Sequence, residues 1–592
     1  FFLPTAKAEG FQTEVPVNST SAQWLLIGSS LVAAVIIGIT IATAPVFAVV
    51  SALALAGISF RLRHMFWQPV SVSRPVTFAI ILLIAVIIVI RLLSLSHYPT
   101  PFYVDEAWNL GFAISFLRDG YLSDLIMEQS TGAPAYSLSW FFPLPALWIS
   151  ITGPEFWNVR LFHYLLLNSA LILFVFLAAR NWFDQRTAWL SAAVLFASTI
   201  TLHNALIRHD GALAAAIAAG VWLHTEALKR DHGGLHLLAG FVCGASVLIH
   251  LHGAPLALAC LAGLYIPHLL ASRSKQRMRY LACAGFFLAG IVIAFGIYYL
   301  FQYAPDQANY VEVLKSRSMP DLSPHMILLR SLLHFVVAGG YSAVEWYLFV
   351  MAIVGCLMRR RLVDLKLFFW FVMMYLALGA VQNEIFSNYI RQMTPVLGLM
   401  AGSVLSFGLR RLPEPRNPFI TRDFALVTMA LGFVLSVNLG PSLASVMQGK
   451  PLHLPTPPAV AWVREHIAPD AKILAPSHAY LWLTDYTFTS TYYLWTSQRQ
   501  VIGGTAVADD ERMAIADTVG PEIWDEVNAD VVIYDNIEPI TAMLPVSLYQ
   551  SDYLASRGYE QVYEWSGEWN GQDYEARIYV REPEKVLVAL RP

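Results

Sequence analysis

Charged residues are scarce in this chain. Asp, Glu, Lys and Arg make up 13% of its 592 residues, whereas hydrophobic residues make up 57%, and the mean hydropathy is +0.54. Such a composition cannot cover a soluble protein of this size with a polar surface, so it excludes an ordinary soluble enzyme. The chain is predicted to be a polytopic α-helical membrane protein.

Cysteine and nucleotide-binding signatures are also lacking. The four cysteines, Cys243, Cys260, Cys283 and Cys356, all lie inside apolar runs, so disulfides and thiolate metal sites are not expected. The C-terminal part has no glycine-rich phosphate loop after a strand and no defensible Ser/His/Asp arrangement, so it is not predicted to be the catalytic module. No nucleic-acid partner is expected.

Long apolar runs are what the sequence has in abundance. Runs of about 20 residues cross a hydrocarbon core of about 30 Å, and they predict about 11 to 13 transmembrane helices. Thirteen candidate runs centre near 34, 53, 85, 168, 195, 218, 244, 262, 290, 349, 372, 400 and 432. The weakest signal is 24–60, one apolar block that only a turn at 43–45 divides into a hairpin.

The distribution of Lys and Arg between the runs predicts the orientation. Six alternate loops hold nineteen of these residues, whereas the opposite side holds eight up to the end of the last run. Because basic loops face the cytoplasm, the N-terminus is predicted inside, and everything after about residue 442 outside, a multi-pass plasma-membrane protein.

The composition predicts three parts. Residues 1–75 form an N-terminal segment with an extra hairpin, 76–441 a membrane domain with an outer loop at 96–157, and 442–592 an extracytoplasmic α/β domain. In the last part the patterns predict helices at 459–467 and 510–518, strands at 472–475 and 529–534, and a closing pair at 559–565 and 574–581. The aromatic stretch 136–152 is predicted to be an interfacial helix.

Polar residues that could carry chemistry gather on the outer side. The adjacent carboxylates Asp105 and Glu106 follow the apolar run 76–95 by about ten residues. Other outer residues of this kind are Glu128, His209, Asp210, His252, Tyr389 and Arg391. Together they supply carboxylates, which can accept a proton, and cations, which can stabilise an anionic group.

The D-E-A motif at 105–107, the aromatic stretch, the Arg-Leu pair at 160–161 and Arg391 before the span with Pro395 resemble the GT-C glycosyltransferases. The resemblance covers roughly 76–441, and the nearest branch is that of the protein O-mannosyltransferases and aminoarabinose-transferase-like (ArnT-like) enzymes. It implies a membrane glycosyltransferase that moves a hexose or pentose from a polyprenyl-phosphate donor to a glycan, lipid or protein acceptor on the extracytoplasmic face, with inversion.

Individual roles follow from the same resemblance. Asp105 matches the family's catalytic or acceptor-activating acid and Glu128 its second acid, so both are predicted to be catalytic. His252 lies where relatives often contact the lipid phosphate, while Tyr389 and Arg391 match the polar entry to a late span. Glu106, His209 and Asp210 complete the predicted substrate-binding set.

Other interpretations remain open for these residues. Asp105 and Glu106 could be a helix N-terminal acidic pair, with Glu106 structural, and together they could bind a divalent cation, although two adjacent carboxylates are a weak metal signature. His209 and Asp210 could cap a helix, and His252 could be a turn histidine. A transporter or a non-catalytic subunit of a membrane assembly is the alternative function, although no internal repeat is found.

Overall fold

The computed structural model describes residues 85–97, 104–119, 141–199, 203–304, 307, 343–359, 361–381, 391–411, 439–491, 527–537 and 551–587. The chain divides into two compact units, 1–89 and 90–592. Most of the first unit lies outside the described residues, so the predicted hairpin at 24–60 does too. The helical bundle and the C-terminal sheet both belong to the second unit, and the predicted boundaries at 75/76 and 441/442 stay predictions.

The bundle is built from α-helices that coincide with the apolar runs. Its elements are α1 (Val104–Asp119), α2 (Pro143–Thr152), α3 (Phe156–Trp182), α4 (Gln185–Ala197), α5 (Asp210–Arg230), α6 (Gly233–Ala245), α7 (Gly253–Ala271), α8 (Ser274–Tyr298), α9 (Ala343–Arg359), α10 (Leu362–Val381) and α11 (Thr394–Arg411). Residues 85–93 are also helical. Ten of the thirteen predicted run centres therefore fall in helices, and those near 34, 53 and 432 lie outside the described residues.

Four described helices are long and apolar enough to cross a membrane: Phe156–Trp182, Asp210–Arg230, Gly253–Ala271 and Ser274–Tyr303. Neighbouring helices pack closely where glycines face each other. A Cβ at Gly240 of α6 would lie 1.9 Å from the Phe287 carbonyl oxygen, and one at Gly290 of α8 would lie 2.1 Å from that of Leu237. Small residues of this kind let two membrane helices approach backbone to backbone.

Helix α2 matches the C-terminal part of the predicted interfacial stretch; residues 136–140 lie outside the described part. Its Leu144, Leu147 and Ile151 are 54%, 62% and 54% exposed, a spacing that puts all three on one face. An exposed apolar face on a ten-residue helix favours a position at the membrane surface.

The C-terminal part is a five-stranded sheet with helices. After helix α12 (Pro458–His466) come β1 (Lys472–Ala475), β2 (Thr487–Ser490), β3 (Val531–Asp535), α13 (Ser551–Ser556), β4 (Tyr559–Trp569), β5 (Gln572–Arg581) and α14 (Pro583–Val586). The strand order is β2-β1-β3-β5-β4, with β1 parallel to β2 and β3, and β5 antiparallel to β3 and β4. The predicted helix at 459–467, both strands and the closing pair are confirmed, and the predicted helix at 510–518 lies outside the described residues.

The sheet touches the bundle through the turn after β1. Residues Ser477–Leu481 form a 3₁₀ turn that packs against α1. His478 Nε2 lies 2.9 Å from Asp535 Oδ2 at the end of β3, and both side chains are buried. The contact with Asp535 therefore fixes this turn at the carboxyl ends of the parallel strands. Helix α1, which carries the acidic pair, packs against the turn.

Candidate functional site at one end of the bundle

The acidic pair lies at the start of α1. The helix begins at Val104, so Asp105 and Glu106 are both in its first turn, and Arg118 is in its last. Carboxylates are favoured at a helix N-terminus and cations at its C-terminus because of the helix dipole, which explains why this sequence starts a helix here. The predicted catalytic residue Asp105 is thereby placed at the end of a helix, next to Glu106.

Glu106 forms a buried ion pair with Arg160 near the start of α3. Arg160 Nε donates to Oε1 at 2.9 Å and Nη2 to Oε2 at 2.6 Å, while the Ile207 amide also donates to Oε1 at 2.9 Å. Arg160 Nη1 donates to the Leu95 carbonyl at 2.8 Å, and its guanidinium lies over the Phe156 ring. Because three donors occupy both oxygens of Glu106, we assign this residue to the framework of the site.

A second ion pair lies at the start of α5. Arg208 Nε donates to Asp210 Oδ2 at 2.8 Å, and Gln392 Nε2 donates to Asp210 Oδ1 at 2.9 Å. The same amide nitrogen lies 3.2 Å from His252 Nδ1. Residues from three separate corners of the chain thus meet around one carboxylate, and all four side chains are buried.

Three imidazoles form a compact group beside this carboxylate. The rings of His209 and His250 are stacked with centroids 3.9 Å apart and an interplanar angle of 9°, and the His250 and His252 centroids are 4.2 Å apart. Gly253, which opens α7, lets this turn lie on α6, because a Cβ there would be 2.1 Å from the Ser246 carbonyl carbon. The close packing of the His-Gly-Ala-Pro turn therefore requires a residue without a side chain at position 253.

Arg391 lies in a 3₁₀ turn just before α11 and is 5% exposed. Its Nη1 donates to the His203 carbonyl oxygen at 3.1 Å. Burial, together with the charge of Arg391, lowers the pKa of His203 to about 4, so this imidazole is neutral at pH 7. Arg391 also interacts electrostatically with Asp210, so its cation lies next to the group formed by Asp210 and His252.

Two polar side chains nearby have atoms without a hydrogen-bond partner among the described residues. They are His163, at its Nε2, and Asn204, at both side-chain polar atoms, and both residues are buried. His163 opens a π-helical turn, His163–Leu167, inside α3, and such turns are frequent at functional sites. These two residues add hydrogen-bonding capacity that no described residue uses.

The structure thus brings together four of the predicted site residues, His209, Asp210, His252 and Arg391. Glu128 and Tyr389 lie outside the described residues, and their roles stay predictions. The sequence analysis did not select Arg208, Gln392 or His250 for the site, although each is adjacent to, or two residues from, one that it selected. Within the described ranges no group of three or more His, Cys, Asp or Glu side chains is arranged to hold a metal ion.

Known families and structures match this architecture. A sequence model of the family described as dolichyl-phosphate-mannose-protein mannosyltransferase matches residues 139–298, which span α2 to α8. No curated protein sequence matches the chain significantly. The sequence match therefore covers the part of the bundle that carries Arg160, the His209–Asp210 corner and His252.

Solved structures match over most of the chain. ArnT from Cupriavidus metallidurans is 14% identical, with a TM-score of 0.53 in its apo state and 0.50 bound to undecaprenyl phosphate, over 84% of this chain and 98% of that one. The archaeal oligosaccharyltransferase AglB from Archaeoglobus fulgidus, in complex with an inhibitory peptide and a dolichol-phosphate, is 14% identical with a TM-score of 0.50, over 83% of this chain and 74% of that one. These matches confirm the predicted fold class, that of a multi-pass GT-C-like membrane protein with a C-terminal domain, and the predicted similarity to the ArnT-like branch.

Proposed function

We propose that this protein is an inverting glycosyltransferase that takes a sugar from a polyprenyl-phosphate donor and transfers it to an acceptor on the extracytoplasmic face of the membrane. The fold it shares with ArnT, which has been solved with undecaprenyl phosphate, and with AglB, which has been solved with dolichol-phosphate and a peptide, supports a lipid-phosphate donor. The observation that carries the proposal is the convergence of Arg391, Arg208, Asp210 and His252 at the ends of the helices.

The charges of this group suit the phosphate of the donor. Arg208 and Arg391 bring two positive charges and Asp210 brings one negative charge, so the three together are net cationic. A phosphodiester linking sugar and lipid carries one negative charge, and the phosphate that departs gains a second. Arginine N–H groups bind phosphate oxygens through charge-assisted hydrogen bonds, which are shorter and stronger than neutral ones.

The position of the group suits a donor whose tail stays in the bilayer. Asp210 begins α5 and His252 precedes α7, and both helices are long and apolar enough to cross a membrane. A phosphate at the ends of these spans lies at the level of lipid head groups. The sugar then projects toward α1, since the Glu106 carboxylate on that helix accepts a hydrogen bond from the Ile207 amide in the same connection as Arg208.

Asp105 is the group we assign to the acceptor. The acceptor hydroxyl oxygen bonds to the anomeric carbon, the bond from that carbon to the phosphate oxygen breaks with its electron pair, and the hydroxyl proton passes to Asp105. A general base contributes about 10²- to 10⁴-fold, and donors placed on the leaving oxygen contribute on a similar scale. Attack from the face opposite the phosphate inverts the anomeric configuration.

The test uses the whole protein in lipid nanodiscs. Polyprenyl-phosphate hexoses and pentoses, radiolabelled in the sugar, are supplied with peptide, lipid and glycan acceptors, and transfer is measured together with release of polyprenyl phosphate. The proposal expects transfer with at least one pair, and transfer at least about 10²-fold slower with the Asp105→Asn protein. Tight binding of the donors with no transfer to any acceptor class would instead favour a non-catalytic subunit, and movement of the intact donor across the membrane would favour a transporter.

A further inference from the structure

A second group of ionisable side chains lies at the other end of the bundle. Helix α5 starts at Asp210 in the candidate site, and His224 lies on the same helix about 21 Å farther along its axis, at 1.5 Å per residue. The Trp182 ring at the end of α3 lies 6.3 Å from that of His224 and also contacts Lys366 on α10. Lys366 in turn contacts His268 on α7, and Trp370 follows it by about one turn of α10. We refer to these five residues as the Lys366 cluster.

Lys366 is a buried amine with few partners. It is 2% exposed, its Nζ lies 2.7 Å from His268 Nε2, and the same nitrogen lies over the Trp182 ring at 5.0 Å from the centroid. Among the described residues it forms no ion pair with a carboxylate. An ionisable group in a membrane helix is costly, and it is a functional-site hypothesis when nothing in the protein neutralises it.

The nearest acidic residues along the chain are already occupied. Asp364, two residues before Lys366, accepts hydrogen bonds from Arg359 at 2.6 Å and from Arg361 at 2.7 Å. Glu226, two residues after His224, accepts from Arg230 at 2.9 Å and from Asn181 at 2.9 Å. Neither carboxylate therefore serves as the counter-ion of Lys366.

The rest of the Lys366 cluster offers hydrogen-bond donors. Trp182 Nε1, Trp370 Nε1 and His224 Nε2 are buried and have no hydrogen-bond partner among the described residues. An indole nitrogen can only donate a hydrogen bond. His224 uses its other nitrogen, Nδ1, toward the Tyr265 hydroxyl at 3.1 Å. Among the described residues the cluster thus combines one amine with two unused indole N–H groups and no carboxylate, and an anion has the complementary chemistry.

The side from which an anion can reach the cluster is the surface between α7 and α8. His268 is only partly buried and stacks on the Tyr280 ring, with centroids 4.4 Å apart and an interplanar angle of 10°. On the same two helices Leu270 and Met278 are 76% and 67% exposed, as is expected for helices that face lipid chains. A head group that enters past His268 can leave its acyl chains among the lipids around these helices.

We propose that the Lys366 cluster binds the phosphate of an anionic membrane lipid, in the leaflet opposite the one that holds the candidate glycosyl-transfer site. Basic pockets between membrane helices bind anionic head groups in this way. Lys366 and the Trp182 N–H donate to the phosphate oxygens, and His268 orients the amine. This proposal does not depend on the proposed function, because it needs only the helical bundle.

The test compares lipid binding by wild type and Lys366→Met in nanodiscs. Thermal unfolding is measured in phosphatidylcholine alone, in phosphatidylcholine with phosphatidylglycerol, and in phosphatidylcholine with inorganic phosphate in solution, and native mass spectrometry records the lipids retained. Lys275→Met, which removes an exposed lysine near the same end of the bundle, is the matched control. Because methionine fits an apolar environment, removing an unpaired buried amine is expected to leave folding intact.

The proposal expects phosphatidylglycerol to raise the melting temperature of wild type and of Lys275→Met. Lys366→Met does not show this rise in melting temperature. Its affinity for the lipid falls at least about tenfold, which is the effect of losing one charge-assisted hydrogen bond. Trp182→Phe, which keeps the ring and removes the N–H, loses part of the increment. Equal increments in wild type and Lys366→Met, or no increment in wild type, would overturn the proposal. A wild-type increment with inorganic phosphate that equals the one with phosphatidylglycerol would assign the site to a free anion and so overturn the lipid assignment.

Discussion

Two buried ion pairs lie near each other at one end of the bundle, and their surroundings differ. In the pair Glu106–Arg160, both carboxylate oxygens are occupied by fixed donors, and the guanidinium also holds a backbone carbonyl. In the pair Arg208–Asp210, the carboxylate shares a neutral amide, that of Gln392, with His252. Both oxygens of each carboxylate accept a hydrogen bond, so the pairs differ in what surrounds them: Arg160 also holds a backbone carbonyl, whereas Asp210 is linked through an amide to an imidazole. Residue type alone does not distinguish these roles.

The largest expected effect tests the framework side of this comparison. Glu106→Ala leaves the Arg160 guanidinium buried without its carboxylate, so we expect a loss of about 3 to 5 kcal/mol in the free energy of unfolding. Denaturant or thermal unfolding of the purified protein measures it. The control is Glu564→Ala, which breaks the half-exposed pair with Arg577 between β4 and β5 and should cost no more than about 1 kcal/mol. Similar losses in the two variants would contradict a framework role.

The next effect separates Asp105 from its neighbour Glu106. Asp105→Asn keeps the size of the side chain and a good helix cap but cannot accept a proton, so we expect transfer to fall by about 10²-fold or more with stability unchanged. Turnover and thermal unfolding measured on the same preparation check both parts. Transfer near the wild-type rate would show that Asp105 only caps α1.

A smaller effect tests the role of the Arg391 cation in the site. Arg391→Gln removes a charge that we place on the donor phosphate, so the donor KM should rise or kcat fall by about 10- to 100-fold. Arg118→Gln, an exposed arginine at the end of α1, is the matched control and should change neither. Unchanged kinetics in Arg391→Gln would remove this residue from the site.

The smallest effect is a pH dependence centred on His203. Its pKa is lowered to about 4 in the folded protein, by burial first and then by Arg391, so the unfolded chain binds more protons between about pH 4 and 6.5. The contribution of His203 to the free energy of unfolding is therefore fully present above about pH 6.5, and it is lost as the pH falls toward 4. After allowance for partial exposure we expect wild type to lose about 1 kcal/mol more than His203→Gln between pH 7 and 5. Parallel stability curves would show that His203 does not titrate in this way.

Much of the architecture could be predicted from the sequence because the thickness of the hydrocarbon core sets the length of every membrane helix. A membrane helix must be long enough to cross the hydrocarbon core, so apolar runs locate helices such as α3, α5 and α8 without any knowledge of their neighbours. Strand patterns are local in the same sense, and the prediction for β3 differs from the structure by two residues at its start and one at its end. The corners with His209, His252 and Arg391 were selected for the same reason, since charged and polar residues avoid the bilayer centre, and their roles stay predictions.

Which of these corners meet was decided only by the tertiary structure. Glu106 and Arg160 are 54 residues apart, and Asp210 and Gln392 are 182 residues apart. The order of helices around the bundle is set by side-chain packing and by close approaches such as that of Gly240 to α8. The hydropathy of the sequence does not predict this order. The sequence by itself therefore determined that this protein is a membrane bundle with a C-terminal α/β part, and it predicted an acidic outer loop. Only the packing of the helices decided that one acid of the pair is a framework residue, and that a lysine at the opposite end is buried with no carboxylate beside it among the described residues.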